Sequence, residues 1–445
     1  MNQNVLTAKI LIKKWIKSHS CKKIFCFLNL ENNVHTVRHI CFYATARNHY
    51  IYIPKIKSTE TTEKFLSHTH LNQLLHNCKS IKEQIEVFDS YTKLTDEDVE
   101  KRQSLCQNIE KIFRQHIPEC SVHLAGSTAS GLGLRGCDVD LSFQHSSNED
   151  DQNNSIAKVV SSDFVRDIKM GKIPVCDFTS LKSNMKLHIL KNALRNSGLI
   201  KESTVVPGHC PILNFTLENL SWDLSVNNLS AFQGTNLMLL CRLLDSRVGP
   251  LHRLLTYWAK HLKLCGGPLK FKSYSIFLLL VYFLQTRSPH ILPSVEHMLD
   301  KAEFKNNLHN WSYDISKYVD KFERSENSQS IDELIKEFFF FYAKFDFSDV
   351  ICPLTNCSEK ARDFISKYDS PENKFQVTEI SVQDPLYPSK NVTFGVSWKY
   401  CRHFKQNLVF ICKAYQNDKL WQPGEENWGL LSLFNANNAL VSINK

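Results

Sequence analysis

Nowhere in the chain do two cysteines stand in a CxxC spacing, although there are 15 of them, an odd number scattered from Cys21 to Cys412. That absence removes the commonest zinc and dithiol signatures, and the scatter favours a reducing compartment over a disulfide framework. Cys21 with Cys26, and Cys352 with Cys357, share a five-residue spacing, but neither has a matching second pair. The cysteines therefore read as small buried hydrophobes rather than zinc ligands. Long apolar runs are missing too. The longest clean one, 276–284, falls far short of the roughly 20 residues a membrane-crossing helix needs, so no membrane span is expected. Acids are almost absent from residues 1–48, where Lys9, Lys13, Lys14, Lys17, Lys22, Lys23, Arg38 and Arg47 face only Glu31. No internal repeat is visible.

What is present starts with that basic segment. Val5, Ile10, Leu11, Trp15 and Ile16 recur near helical spacing between the lysines, the acid-poor amphipathic pattern of an organelle transit peptide. A secretory signal would need a longer apolar core, and a basic arm that touches RNA is the competing reading. The whole chain, 445 residues with 42% hydrophobic content, suits two or three globular domains. A net charge of +9 leans toward a polyanionic partner, weakly on its own.

From Leu94, the acids Asp96, Glu97 and Asp98 precede Val99, Leu105, Ile109 and Ile112 at helical spacing, which predicts a helix with its acids where the dipole favours them. Residues 121–124 predict a short strand running into the small-residue turn 126–131. The polar run 146–155 predicts a surface loop, and 211–227 predicts two strands around Glu218-Asn219-Leu220. Beyond about residue 231 the pattern turns helical at 237–244, 251–264 and 274–284, with Gly266-Gly267-Pro268 as a breaker, and 334–345 predicts a core helix. The expected organisation is a leader 1–48, a segment 49–93 with little legible pattern, an α/β part 94–230 and a helical part 231–445.

Chemistry concentrates at Asp138 and Asp140. In a strand, residues two apart share a face, so these carboxylates stand about 7 Å apart while Val139, Leu141 and Phe143 point the other way. A lone pair of this kind is usually an exposed strand edge; its company changes the reading. Upstream, Gly126-Ser127 follows a strand and opens a helix, offering backbone N–H groups and a hydroxyl to a polyphosphate. Downstream, Asp223 projects from a strand whose opposite face carries Trp222, Leu224 and Val226. Three carboxylates on neighbouring strands are what an in-line phosphoryl transfer with two metal ions requires.

At these residues the sequence resembles the noncanonical poly(A) polymerase and terminal uridylyltransferase family, whose pattern is a Gly-Ser turn, a spaced Asp-x-Asp and a distal Asp in a hairpin. Here it reads Gly126-Ser127, Asp138-Val139-Asp140 and Asp223-Leu224-Ser225-Val226, and it continues through Leu244-Asp245-Ser246-Arg247, Tyr257-Trp258-Ala259-Lys260 and Lys272-Ser273-Tyr274-Ser275. The resemblance is good over about 94–290 and weaker beyond. It implies an α+β fold, a DNA polymerase beta-like nucleotidyltransferase palm with a mixed sheet and helices, plus a helical PAP-associated domain. It implies Asp138, Asp140 and Asp223 as catalytic metal ligands for two Mg2+ or Mn2+ ions. It also implies triphosphate contacts from Lys260 and Lys263, whose helical spacing puts them on one face, and base stacking by Tyr274 after Ser273. Where the family often has Asn-Thr, this chain has Gly234-Thr235, so only Thr235 carries over. Cys137 stands where the usual Ser precedes the first Asp.

The stretch 94–98 with Arg102 and Cys106, the Gly-Cys-Asp-x-Asp variant, and Asp384-Pro385 with Lys390-Asn391-Val392 are most similar to the mitochondrial poly(A) polymerases, in agreement with the basic leader. Uridylyltransferases commonly carry a His where Lys390 stands, which turns the expectation toward ATP. The resemblance therefore implies adenylate addition to RNA 3′ ends in the mitochondrial matrix. It leaves open a terminal uridylyltransferase of the same fold, a catalytically inactive RNA-binding scaffold, a homodimer, and an RNA-binding-like module over 49–93.

Overall fold

The computed structural model describes residues 67–145, 162–173, 177–208, 210–307, 310, 313–368 and 374–434. The expected leader 1–48 and the loop 146–155 lie outside the described residues. The expected opening helix is present as Asp96–Arg114, with a capping box at its start: Asp98 N–H donates to the Thr95 hydroxyl, and Thr95 N–H donates to the Asp98 carboxylate. Its buried stripe is Arg102, Cys106, Ile109 and Phe113. Five strands follow: β1 Cys120–Ala125, β2 Val139–His145, β3 Ser203–Val206, β4 Ile212–Leu217 and β5 Leu220–Val226. They form a mixed sheet in the order β1-β2-β5-β4-β3, with β2 and β5 parallel and every other pair antiparallel.

Alternation along these strands sets the two faces. Val139, Leu141, Phe143, Leu213, Phe215, Trp222 and Leu224 are buried in one apolar core, shared with the helices Asp96–Arg114 and Ser183–Asn196. Fully burying one such side chain contributes about 1.5–3 kcal/mol, so the register of β2 and β5 is strongly specified: a one-residue slip would turn these residues to water. The β4–β5 turn places Glu218 and Asn219 at φ of 52° and 61°, the left-handed pair of a tight hairpin turn.

A second, larger core gathers the helices Leu229–Leu244, Val248–His261, Ser273–Gln285, Ile331–Lys344 and Trp398–Tyr415 around Trp258, Phe283 and Tyr342. The helices His68–His76 and Ile81–Thr92 join it through Leu71, Leu75, Ile85 and Phe88. So the described part of 49–93 is built into the helical core. The C-terminal half also holds a small sheet that the sequence pattern did not place: β6 Asp349–Cys352, β7 Cys357–Lys360, β8 Ser381–Asp384 and β9 Tyr387–Asn391, ordered β7-β6-β8-β9. Burial does not alternate along β6 or β8, which are buried on both faces, so they carry no period-2 signal. Among the described residues no helix is long and apolar enough to cross a membrane.

Candidate active site

Register brings the carboxylates together. In the parallel pair β2–β5, Asp140 lies directly opposite Asp223, and exposed Asp138 precedes β2 by one residue. Both strands press their alternate residues into the apolar core, which aims Asp140 and Asp223 at the opposite face. Burial, then Asp223 and Asp138 close by, push the Asp140 carboxyl up to about 7, while Arg102 pulls it the other way. An Asp140 carboxyl held up by burial and by two neighbouring acids marks a site that suits positive charge. All-oxygen, carboxylate-rich donors suit the hard divalent cations Mg2+ and Mn2+.

The Gly126-Ser127 turn closes over this group. Gly126 ends β1 and opens the short helix Gly126–Ser130 at φ 63°, and a Cβ there would overlap the Asp140 carboxylate. Glycine at 126 therefore meets both a backbone and a space requirement. Its N–H donates to Thr235 Oγ1 at 2.8 Å, and that hydroxyl donates to Ala231 O at 2.6 Å, so Thr235 pins the turn to the helix Leu229–Leu244. Ser127 Oγ lies 3.5 Å from Cys137 Sγ.

Contacts then lead to a second group of predicted residues. Next to Thr235, a Cβ on Gly234 would meet the Tyr274 ring at 3.6 Å, so the departure from Asn at 234 leaves this ring room. Tyr274 stacks on Phe277 and its hydroxyl donates to Asp384 Oδ1 at 3.4 Å. Lys390 Nζ lies 3.8 Å from Asp384 Oδ2 and over the Tyr387 ring, whose hydroxyl donates to Gln233 Oε1 at 2.8 Å. Burial raises the Asp384 carboxyl against the pull of the Lys390 ammonium. Asp140, Gly126 and Thr235 thus form one group, and Tyr274, Asp384 and Lys390 form a second beside Gly234.

Lys260 and Lys263 do not share a helix face as their spacing predicts. The helix Val248–His261 ends between them, and Lys263 follows at φ 57° with its N–H donating to Lys260 O at 2.9 Å. Both side chains are exposed. Ser273 opens the helix Ser273–Gln285, its Oγ 3.8 Å from Cys265 Sγ.

Two residues with a part in the site were missed in the sequence. Arg102, 3% exposed, donates to Thr128 Oγ1 at 2.6 Å and Cys137 O at 3.0 Å, fixing the turn to the segment before Asp138. The signal was available: an arginine stands in the apolar stripe of its helix. Asn214, opposite Asp223 in β4, donates to Asp223 Oδ1 at 2.6 Å and Ser221 Oγ at 3.0 Å, which orients the third carboxylate. Its only sequence sign is a polar place in the alternation of β4.

With this geometry in place, comparison with known proteins is decisive for the palm. Residues 81–241 match the family model described as Poly(A) RNA polymerase, mitochondrial-like, central palm domain. Over those residues the chain is similar to a poly(A) polymerase palm. Proteins similar to this chain include the Speckle targeted PIP5K1A-regulated poly(A) polymerase of Danio rerio, 27% identical over 401 residues, and the mitochondrial poly(A) RNA polymerase of Homo sapiens, 25% identical over 378. Each alignment covers 82% of this chain but only 49% and 62% of the relatives' lengths. In structure the chain is similar to mtPAP in complex with GTP, with a TM-score of 0.66 at 20% identity, covering 83% of this chain and 75% of the other. A cytoplasmic RNA terminal U-transferase shares the fold at a TM-score of 0.54 and 18% identity, covering 82% and 98%.

Proposed function

We propose that this chain extends RNA 3′ ends with adenylates from ATP, releasing pyrophosphate, and that it does so in the mitochondrial matrix. The observation that carries the reading is the in-register meeting of Asp140 and Asp223 beside Asp138, under a Gly-Ser turn. Asp138 and Asp140 would hold two divalent ions and Asp223 the one beside the RNA hydroxyl. Such ions lower the pKa of the attacking 3′ hydroxyl and neutralise the departing pyrophosphate. In the transfer, the 3′ oxygen bonds to the α-phosphorus, the α–β phosphoanhydride bond breaks, and one proton leaves the hydroxyl.

The chain's own residues do the positioning. Gly126 and Ser127 line the triphosphate, with Thr235 and Arg102 fixing their turn on either side. Asn214 holds Asp223 in one rotamer. Lys260 and Lys263 offer mobile, exposed cations to the outer phosphates, and Ser273 sets the start of the helix that carries Tyr274. Tyr274 stacks on the base, held by its bond to Asp384. Lys390, tethered to the same carboxylate, stands where it can donate to an adenine ring nitrogen and cannot accept the uracil N3–H.

The test is incorporation of each of the four labelled nucleotides on one RNA primer, with and without chelator. Metal-dependent extension with ATP preferred is expected. Equal or greater use of UTP transfers the assignment to a uridylyltransferase, and no incorporation at all overturns the enzyme in favour of a binding scaffold.

A further inference from the structure

The hairpin β6–β7 carries a second cluster that the nucleotide site does not use. Cys352 and Cys357 are paired in register across it, and Glu359, two residues on, shares the Cys357 face of β7. Cys352 is fully buried, while Cys357 and Glu359 are half-buried. The three ligand atoms lie within 4.8 Å of one another, with Cys357 Sγ 3.4 Å from Glu359 Oε1. We propose that Cys352, Cys357 and Glu359 bind a zinc ion that staples this hairpin.

Tetrahedral zinc takes sulfur at about 2.3 Å and carboxylate oxygen at about 2.0–2.2 Å, which sets ligand-to-ligand edges of about 3.8 Å for S···S and about 3.5 Å for S···O. The Cys357–Glu359 edge, at 3.4 Å, already matches, and the other two lie within 4.8 Å, a closure of at most about 1 Å. Charge balances as well: two thiolates and a carboxylate around Zn2+ leave one negative charge, and Lys367 Nζ lies 3.1 Å from Glu359 Oε1 to cancel it. Two protons leave with the thiols on binding. The half-buried side leaves the fourth corner to water. A disulfide would join only the two sulfurs and give Glu359 no part.

A staple has work to do at this point. On one face the hairpin rests on a small core, with Val350, Cys352, Phe364 and Phe375 buried between it and the helix Ala361–Tyr368, while Ile351 on its other face belongs to the larger helical core. On that small face few side chains are buried, and a cross-link there would add to its order. Pairing of β6 with β8, which ends at Asp384, transmits its order toward the Tyr274–Asp384–Lys390 group.

The experiment measures metal content of the full chain, purified without chelator, in an Asp140→Asn background that disables the carboxylate site. One zinc per chain is expected, falling below about a tenth in Cys352→Ser and Cys357→Ser with unchanged circular dichroism. Glu359→Gln should bind at least about tenfold more weakly, in the range seen for lost metal-site partners. Cobalt titration of the full Asp140→Asn chain, with Cys352, Cys357 and Glu359 unsubstituted, should give thiolate-to-cobalt charge-transfer bands. Zinc content unaffected by both cysteine substitutions, absent cobalt–thiolate bands, or a Cys352–Cys357 disulfide in the freshly purified chain each overturns the site. Because the readout is bound metal, its failure leaves the nucleotidyltransferase reading untouched.

Discussion

Asp140→Asn should abolish nucleotide incorporation and yet stabilise the metal-free protein. The folded-state carboxyl stands at about 7, above its unfolded value, because burial and the Asp223 and Asp138 charges oppose ionisation. A raised acid pKa costs stability as pH rises from the unfolded value, near 4, through about 7, after which the loss is complete. A shift of about 3 units corresponds to about 4 kcal/mol at pH 8, and relaxation with water entry brings this to about 2 kcal/mol. For a domain of the palm's size that is a melting-temperature gain of about 4–8 °C for the variant in chelator at pH 8. At pH 5 the gap should shrink below about 1 kcal/mol, since Asp140 is then protonated in the folded chain. Saturating Mg2+ should restore the unsubstituted protein by about 3 kcal/mol at a hundredfold excess over its Kd, while the variant gains less. Differential scanning calorimetry at the two pH values, with chelator or Mg2+, reads all three quantities. A variant less stable than its parent in chelator at pH 8, or a gap independent of pH, would refute the electrostatic reasoning.

Asp138→Ala and Asp223→Ala should each remove incorporation while circular dichroism stays unchanged, and Asn214→Ala should lower kcat about tenfold or more through the freed Asp223 rotamer, checked by single-turnover primer extension. ATP should be incorporated about tenfold faster than UTP, the value of one discriminating hydrogen bond near 1.4 kcal/mol, and Lys390→His should raise the UTP to ATP ratio in competition assays. Tyr274→Ala should slow both nucleotides alike; selective loss of one would show that the ring reads the base edge rather than stacking. Residues 1–48 fused to a reporter should carry it to mitochondria, and Lys13, Lys14 and Lys17 changed together to Glu should abolish that; a diffuse reporter from the intact segment would count against the matrix location.

The sequence was legible wherever local pattern and tertiary structure agree. The capped helix at Thr95, the hairpin around Glu218 and Asn219, and the strand alternation at Asp140 and Asp223 are all set by near neighbours along the chain. What stayed hidden depends on partners far away. Nothing beside Asn214 announces that it will hold Asp223, and the place of Arg102 in the apolar stripe of its helix gains a meaning only once Cys137 O and Thr128 are brought to it. The end of the helix at His261 was lost because Lys263 fits the helical period but sits in the left-handed region. The sheet β6–β9 was lost because burial does not alternate along β6 and β8, which leaves no period to read.

The parallel pairing of β2 with β5 has a consequence for when the site comes into being. Ser225 Oγ bonds Leu141 O across 84 residues of chain, whereas β1–β2 and β4–β5 close over short distances. Hairpins of that kind form in microseconds, but a loop of this length must first meet its closure entropy. Asp140 and Asp223 therefore become neighbours only at a late, non-local step, after both halves of the sheet exist. On the proposed function, a nascent or partly unfolded chain that holds its acids apart would spend no nucleotide, and incorporation would read out completed folding.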